Sequence, residues 1–70
     1  MAIHECKKAS WGVYRVCDVF LSSRGEKIVL CEDWNGHFEL PARTVRHHRN
    51  ISTAEYARRR EAEIRRAFGN

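Results

Sequence analysis

Pro41, the only proline in the chain, separates two stretches that cannot adopt the same structure. Before it, Val, Cys and aromatic residues crowd into short runs, as half-buried strands require. After it, apolar residues are sparse and recur among arginines. Proline has no N–H to give to a sheet ladder, so it belongs at a strand end or an edge. A strand is therefore expected to end at this point.

The first stretch reads as a meander. Trp11–Leu21 is WGVYRVCDVFL and Lys27–Trp34 is KIVLCEDW, with a Gly-containing loop between them. Asn35-Gly36 follows, the pair best suited to a type I′ turn, whose two central residues both need positive φ. His37–Leu40 completes a third strand. A turn centred on Asn35-Gly36 sets Trp34 opposite His37, Asp33 opposite Phe38, Glu32 opposite Glu39 and Cys31 opposite Leu40. Val29, Cys31, Phe38 and Leu40 then share one face, and Ile28, Leu30, Trp34 and His37 the other, so both faces need cover. The Glu32–Glu39 pair sets like charges against each other, which weakens a ladder. Either the loop is longer than two residues or a cation intervenes, and Arg15 on the adjoining strand is the candidate. Ala42–Arg49, ARTVRHHR, is expected to add a short extended strand, with Val45 its only strongly apolar residue.

The end of the chain reads as a helix. Ser52-Thr53-Ala54-Glu55 has the spacing of a capping box. Gly69 suits the position just past a helix end, so the helix is expected over about residues 53–68. At about 100° per residue, Thr53, Tyr56, Ala57, Arg60, Ile64, Ala67 and Phe68 share a face. Tyr56, Ile64 and Phe68 are its docking residues, while Arg58, Arg59, Arg65 and Arg66 face solvent. Glu55–Arg59, Arg59–Glu63 and Glu61–Arg65 stand four apart, close enough to pair.

The expected architecture is α+β. One domain spans residues 1–70, with a β-rich part over 10–49 holding a small three- to four-stranded antiparallel sheet, followed by the C-terminal helix. The segment Trp34–His47, WNGHFELPARTVRH, resembles the end of a small SH3-like barrel, through Gly36, Phe38, Pro41 and Val45. The resemblance implies a strongly bent sheet and carries over no functional residues. A chain this short buries only about 60% of the surface it exposes when unfolded. A homodimer is one way to enlarge its core.

Charge narrows the function. Residues 1–42 carry five Lys and Arg against six Asp and Glu, a net of −1. Residues 43–70 carry eight Arg against three Glu, a net of +5. Such a footprint suits a polyanion or an acidic protein surface. Arg43, Arg46, His47, His48 and Arg49 contain no acidic residue among them and form the expected contact strip. Arg58, Arg59, Arg65 and Arg66 support it, and Lys7-Lys8 adds to the same charge. Trp34, beside the turn, is the best-placed residue to stack on a base; Trp11 and Tyr14 can do so only if exposed. No helix-turn-helix, RNP or zinc-finger pattern is present, which favours backbone-directed binding of RNA or single-stranded DNA over reading of a duplex.

The rival reading is a small inhibitor, of the kind found in phage and mobile elements, that covers an acidic or nucleic-acid-binding surface of a larger protein. No set of residues is oriented for catalysis, so an enzyme is not expected. A structural zinc protein is the third reading. His4, Cys6, Cys17, Cys31, His37, His47 and His48 supply ligand types, but C-x-x-C and H-x₃₋₅-H spacings are absent, so no metal ligand or cofactor is assigned. Three cysteines, with no apolar leader and no membrane-length run, point to free thiols in a reducing, cytoplasmic setting.

Overall fold

The computed structural model describes residues 1–69. Its elements are β1 (Cys6–Ala9), β2 (Gly12–Leu21), β3 (Lys27–Asp33), β4 (Gly36–Pro41), α1 (Ala42–His47), β5 (Arg49–Ile51) and α2 (Thr53–Ala67). The strands form one antiparallel sheet in the order β4-β3-β2-β1-β5. The α+β class and the C-terminal helix stand as expected, with five strands instead of three or four. The two additional strands, CKKA and RNI, are short and polar. They are strands because β1 pairs with β2 and β5 pairs with β1, and not because of their own apolar pattern.

The segment after Pro41 is a second correction. Ala42–His47 is a short helix, not a strand. Ala42 and Val45 are both buried against Val16, Val29 and Cys31. They stand three residues apart, so a helix turns them to one side whereas a strand would send them to opposite faces. The extended part of the predicted strand survives only from Arg49 onward.

The β3–β4 register also differs. Asp33 pairs with Gly36, Glu32 with His37, Cys31 with Phe38 and Leu30 with Glu39. The turn is therefore Trp34-Asn35, one residue earlier than expected. Asp33 Oδ1 accepts the Asn35 N–H at 2.8 Å, an Asx turn that fixes the reversal there. Of these residues only Gly36 has positive φ, at 131°, so a type I′ turn at Asn35-Gly36 does not form. The partner of each β3 residue moves by two positions, so Val29, Cys31, Phe38 and Leu40 keep a common face. The change removes the Glu32–Glu39 clash, and Arg15 Nη2 does meet Glu32 Oε1, at 2.9 Å.

Each face of the sheet is covered by one helix. On one side Ala9, Tyr14, Val16, Val29 and Cys31 pack with Ala42 and Val45 of α1. On the other, Cys6 and Val13 pack with Tyr56 of α2, and Ile51 closes the edge. Burial pushes the Cys31 thiol up to about 12, so it acts as a small apolar group. The α2 N-terminus is set by Ser52, whose Oγ accepts the Glu55 N–H at 3.0 Å. The Glu55 carboxylate turns instead to Arg59 Nε at 2.7 Å, so the box is closed from one side. Gly69 takes φ 76° just past the helix end, as expected. Phe68 does not dock: it is 70% exposed. Among the described residues no helix is long and apolar enough to cross a membrane.

Among the described residues Lys7 is the one buried cation, 4% exposed. Its Nζ donates to the His48 carbonyl at 3.2 Å and lies 3.6 Å from Glu5 Oε1. The Tyr14 hydroxyl, on the residue opposite Lys7 in the ladder, shares a hydrogen bond with His48 Nδ1 at 2.6 Å. Lys7 and Tyr14 thus tie the α1–β5 connector to the sheet.

Candidate nucleic-acid interface

Periodicity gives α2 two flanks. Arg59, Ala62, Glu63 and Arg66 stand at i, i+3, i+4 and i+7 and fall on one side. There they meet the β1–β2 turn across a cleft of about 230 Å³ that also includes Lys8 and Trp11. A second cleft of about 230 Å³ continues from Trp11 and Arg66 to Trp34. The two clefts share Trp11, Glu63 and Arg66 and so form one groove, with Trp11 and Trp34 among its lining and Lys8, Arg59 and Arg66 beside them.

Trp11 is 54% exposed but not loose. Its ring lies parallel to Tyr14, with centroids 6.1 Å apart, and edge-on to His48 at 5.2 Å. Trp34 is half-buried, and its ring meets the exposed Phe68 at 6.0 Å. Trp11, not Trp34, is therefore the most exposed large ring of the groove with a fixed orientation. Tyr14 is fully buried and unavailable for stacking.

Glu63 shapes the groove. Its Oε2 accepts the Val13 N–H at 2.9 Å, reaching from helix to sheet. This draws it away from the Arg59–Glu63 pairing expected from sequence. A side chain at Gly12 would place its Cβ 2.8 Å from Glu63 Oε1, and Gly12 has φ +151°. Gly12→Ala will therefore lose the Glu63–Val13 bond and strain the backbone. A destabilisation of roughly 1–3 kcal/mol, read from urea denaturation, is the expected outcome.

Charge is distributed unevenly around the molecule. Glu55 pairs with Arg59 at 2.7 Å and with Arg49 at 3.5 Å. The hydrogen bond from Arg59 holds the Glu55 carboxyl below its ordinary range, so it stays ionised and offsets part of both cations. Lys8, opposite Arg49 in the β1–β5 ladder, and Arg66 have no carboxylate partner among the described residues. They are the free cations of the groove.

The predicted strip is not one surface. Arg49 joins Lys8 and Glu55 on the α2 side, where Arg59, Arg66 and Trp34 also lie. Arg43 and Arg46 lie instead beside Glu26 and Lys27 of the β2–β3 hairpin, and Arg43 Nη1 binds Glu26 Oε1 at 2.6 Å. His47 is exposed at the end of α1. Arg58 and Arg65 are exposed, and Arg65 pairs with Glu61 at 2.6 Å. His48 is half-buried in the Tyr14 network instead of facing solvent. Sequence reasoning missed the part played by Glu63 and gave Phe68 to the core. The signal available for Glu63 was its place on the Arg59–Arg66 flank, next to a glycine-bearing turn.

Burial, then the charges of Lys7 and His47, hold the His48 imidazole below its ordinary value of 6.5. The folded state thus binds this proton less readily than the unfolded state. The associated stability is complete above the ordinary value and declines as pH falls through it. Urea midpoints compared at about pH 7.5 and about pH 5.5 will fall on acidification, and His48→Gln will shrink that difference.

No family model, curated protein or solved structure matches this chain.

Proposed function

We propose that the protein is a non-enzymatic module that binds single-stranded nucleic acid, RNA or DNA, through the groove between α2 and the two sheet turns. The observation that carries this reading is Trp11, half-exposed and held in place, with Lys8, Arg59 and Arg66 around it. A base has a π-face whatever its identity, and stacking on an aromatic ring is worth about 1–3 kcal/mol per base. Arg59 and Arg66 supply the flat, forked donors that suit phosphate. The same pattern supports nucleic acid over an acidic protein partner, since a flat ring beside free cations matches base and phosphate together. In this reading the sheet is SH3-like: β5 returns after the short α1 to pair with β1, which is the arrangement that supports the likeness. A reducing, cytoplasmic setting fits the three free thiols.

The test is fluorescence anisotropy of labelled oligo(U) and oligo(dT) across a salt series. Two free and two shared cations predict a slope of log K against log salt of about −1.4 to −2.8. Binding that is undetectable at low salt refutes the proposal, and capture of one stoichiometric protein partner in its place supports the inhibitor reading.

A further inference from the structure

We propose that Cys17, Glu32 and His37 form a binding site for a borderline-soft divalent cation of the Zn²⁺ class. One ligand atom from each lies within 4.8 Å of the other two. The three come from adjacent strands β2, β3 and β4 and follow no sequence motif. Two irregularities of the sheet bring them together. The β2–β3 pairing jumps from Val16↔Cys31 to Asp18↔Leu30, leaving Cys17 as the extra residue of a bulge. Bulges re-aim a side chain in this way. The Trp34-Asn35 turn then sets His37 directly across from Glu32. In the register that Asn35-Gly36 alone implies, His37 would have faced Trp34.

Glu32 is prepared for the role. Arg15 Nη2 holds its Oε1 at 2.9 Å, while Oε2 points to His37 Nε2 at 3.3 Å. Arg15 thus fixes the carboxylate with one oxygen free for a metal, as outer partners of metal ligands do. Zn–ligand bonds of about 2.0–2.3 Å set tetrahedral ligand atoms roughly 3.3–3.8 Å apart, so the trio closes by at most about 1.5 Å. The His37 side chain is 59% exposed, which leaves it free to move and gives the ion a path in. On binding, the cation replaces the Glu32–His37 contact, Cys17 releases its thiol proton to solvent, and neutral His37 offers the Nε2 lone pair. A thiolate, an imidazole and a carboxylate select Zn²⁺ over Mg²⁺ or Ca²⁺, which take oxygen donors. Water fills the fourth position. The bound ion would clamp three strands, independently of the α2 groove.

Cobalt is the probe, because Co²⁺ takes Zn²⁺ sites and reports thiolate ligation optically. Titrating the intact protein with Co²⁺ will give a near-ultraviolet thiolate-to-cobalt charge-transfer band that saturates at one equivalent and is displaced by Zn²⁺. Cys17→Ser will abolish the band. His37→Gln, a change at an exposed position that leaves the fold intact by circular dichroism, will weaken Zn²⁺ binding at least about a hundredfold, the upper end of what losing an outer partner costs. No band in the wild-type protein, a band that persists in Cys17→Ser, or wild-type affinity in His37→Gln would each overturn the site.

Discussion

Tyr14→Ala will cost roughly 3–5 kcal/mol, as removal of a large buried aromatic does. A domain of this length has only about 4–10 kcal/mol to lose, so the variant gives up between roughly a third and all of its stability. Tyr14 is fully buried. Its ring meets Trp11, Phe38 and His48 with centroids 5.6–6.1 Å away. It also packs in the cluster that binds α1 to the sheet. Its hydroxyl holds His48, so the variant loses the connector as well as the core. Tyr14→Phe separates the two roles. It keeps the ring and removes only the hydrogen bond, so about 1 kcal/mol is expected. Urea denaturation checks both values; a Tyr14→Ala cost near 1 kcal/mol would place the core elsewhere.

Trp11→Ala will weaken single-strand binding by roughly 5- to 150-fold, the equivalent of about 1–3 kcal/mol of stacking. The loss falls on binding more than on folding, because over half of the ring is already in solvent. Trp34→Ala will affect binding less, since Trp34 is half-buried and engages Phe68. The chain has only two tryptophans, so each single variant leaves one intrinsic reporter. In Trp34→Ala, the remaining fluorescence should be quenched by oligo(U). Anisotropy with labelled oligonucleotide gives the affinities, and an unchanged affinity in Trp11→Ala would remove stacking from the account.

What could be read in the sequence was whatever rests on strong local signals. Ser52 and Glu55 marked the start of α2, Gly69 its end, and the long β2–β3 hairpin was plain from its Val-rich runs. The failures came where longer-range partners decide. β1 is a strand because it pairs with β2 and β5, and β5 because it pairs with β1, while buried Lys7 meets the His48 carbonyl and Glu5. Asp33 overrode the Asn35-Gly36 signal by capping the turn one residue early. Ala42 and Val45 fit a strand or a helix locally, and the sheet surface selects the helix. The candidate site shows the same division. Arg43–Arg49 is continuous in sequence, yet α1 and the His48 anchor send its two ends to different sides. The groove needed the fold, because it joins Lys8, Trp11 and Arg66 from elements more than forty residues apart.

Two paired charge reversals test the central claim most directly, that binding belongs to the α2 groove and not to positive charge in general. Lys8→Glu with Arg66→Glu alters the groove; Arg43→Glu with Arg46→Glu alters the hairpin side by the same formal charge. Affinity for oligo(U) at one salt concentration is the measurement. The groove pair should lose at least about tenfold more affinity than the other, a difference of about 1.4 kcal/mol. Equal losses, or a larger loss from Arg43 and Arg46, would contradict the account.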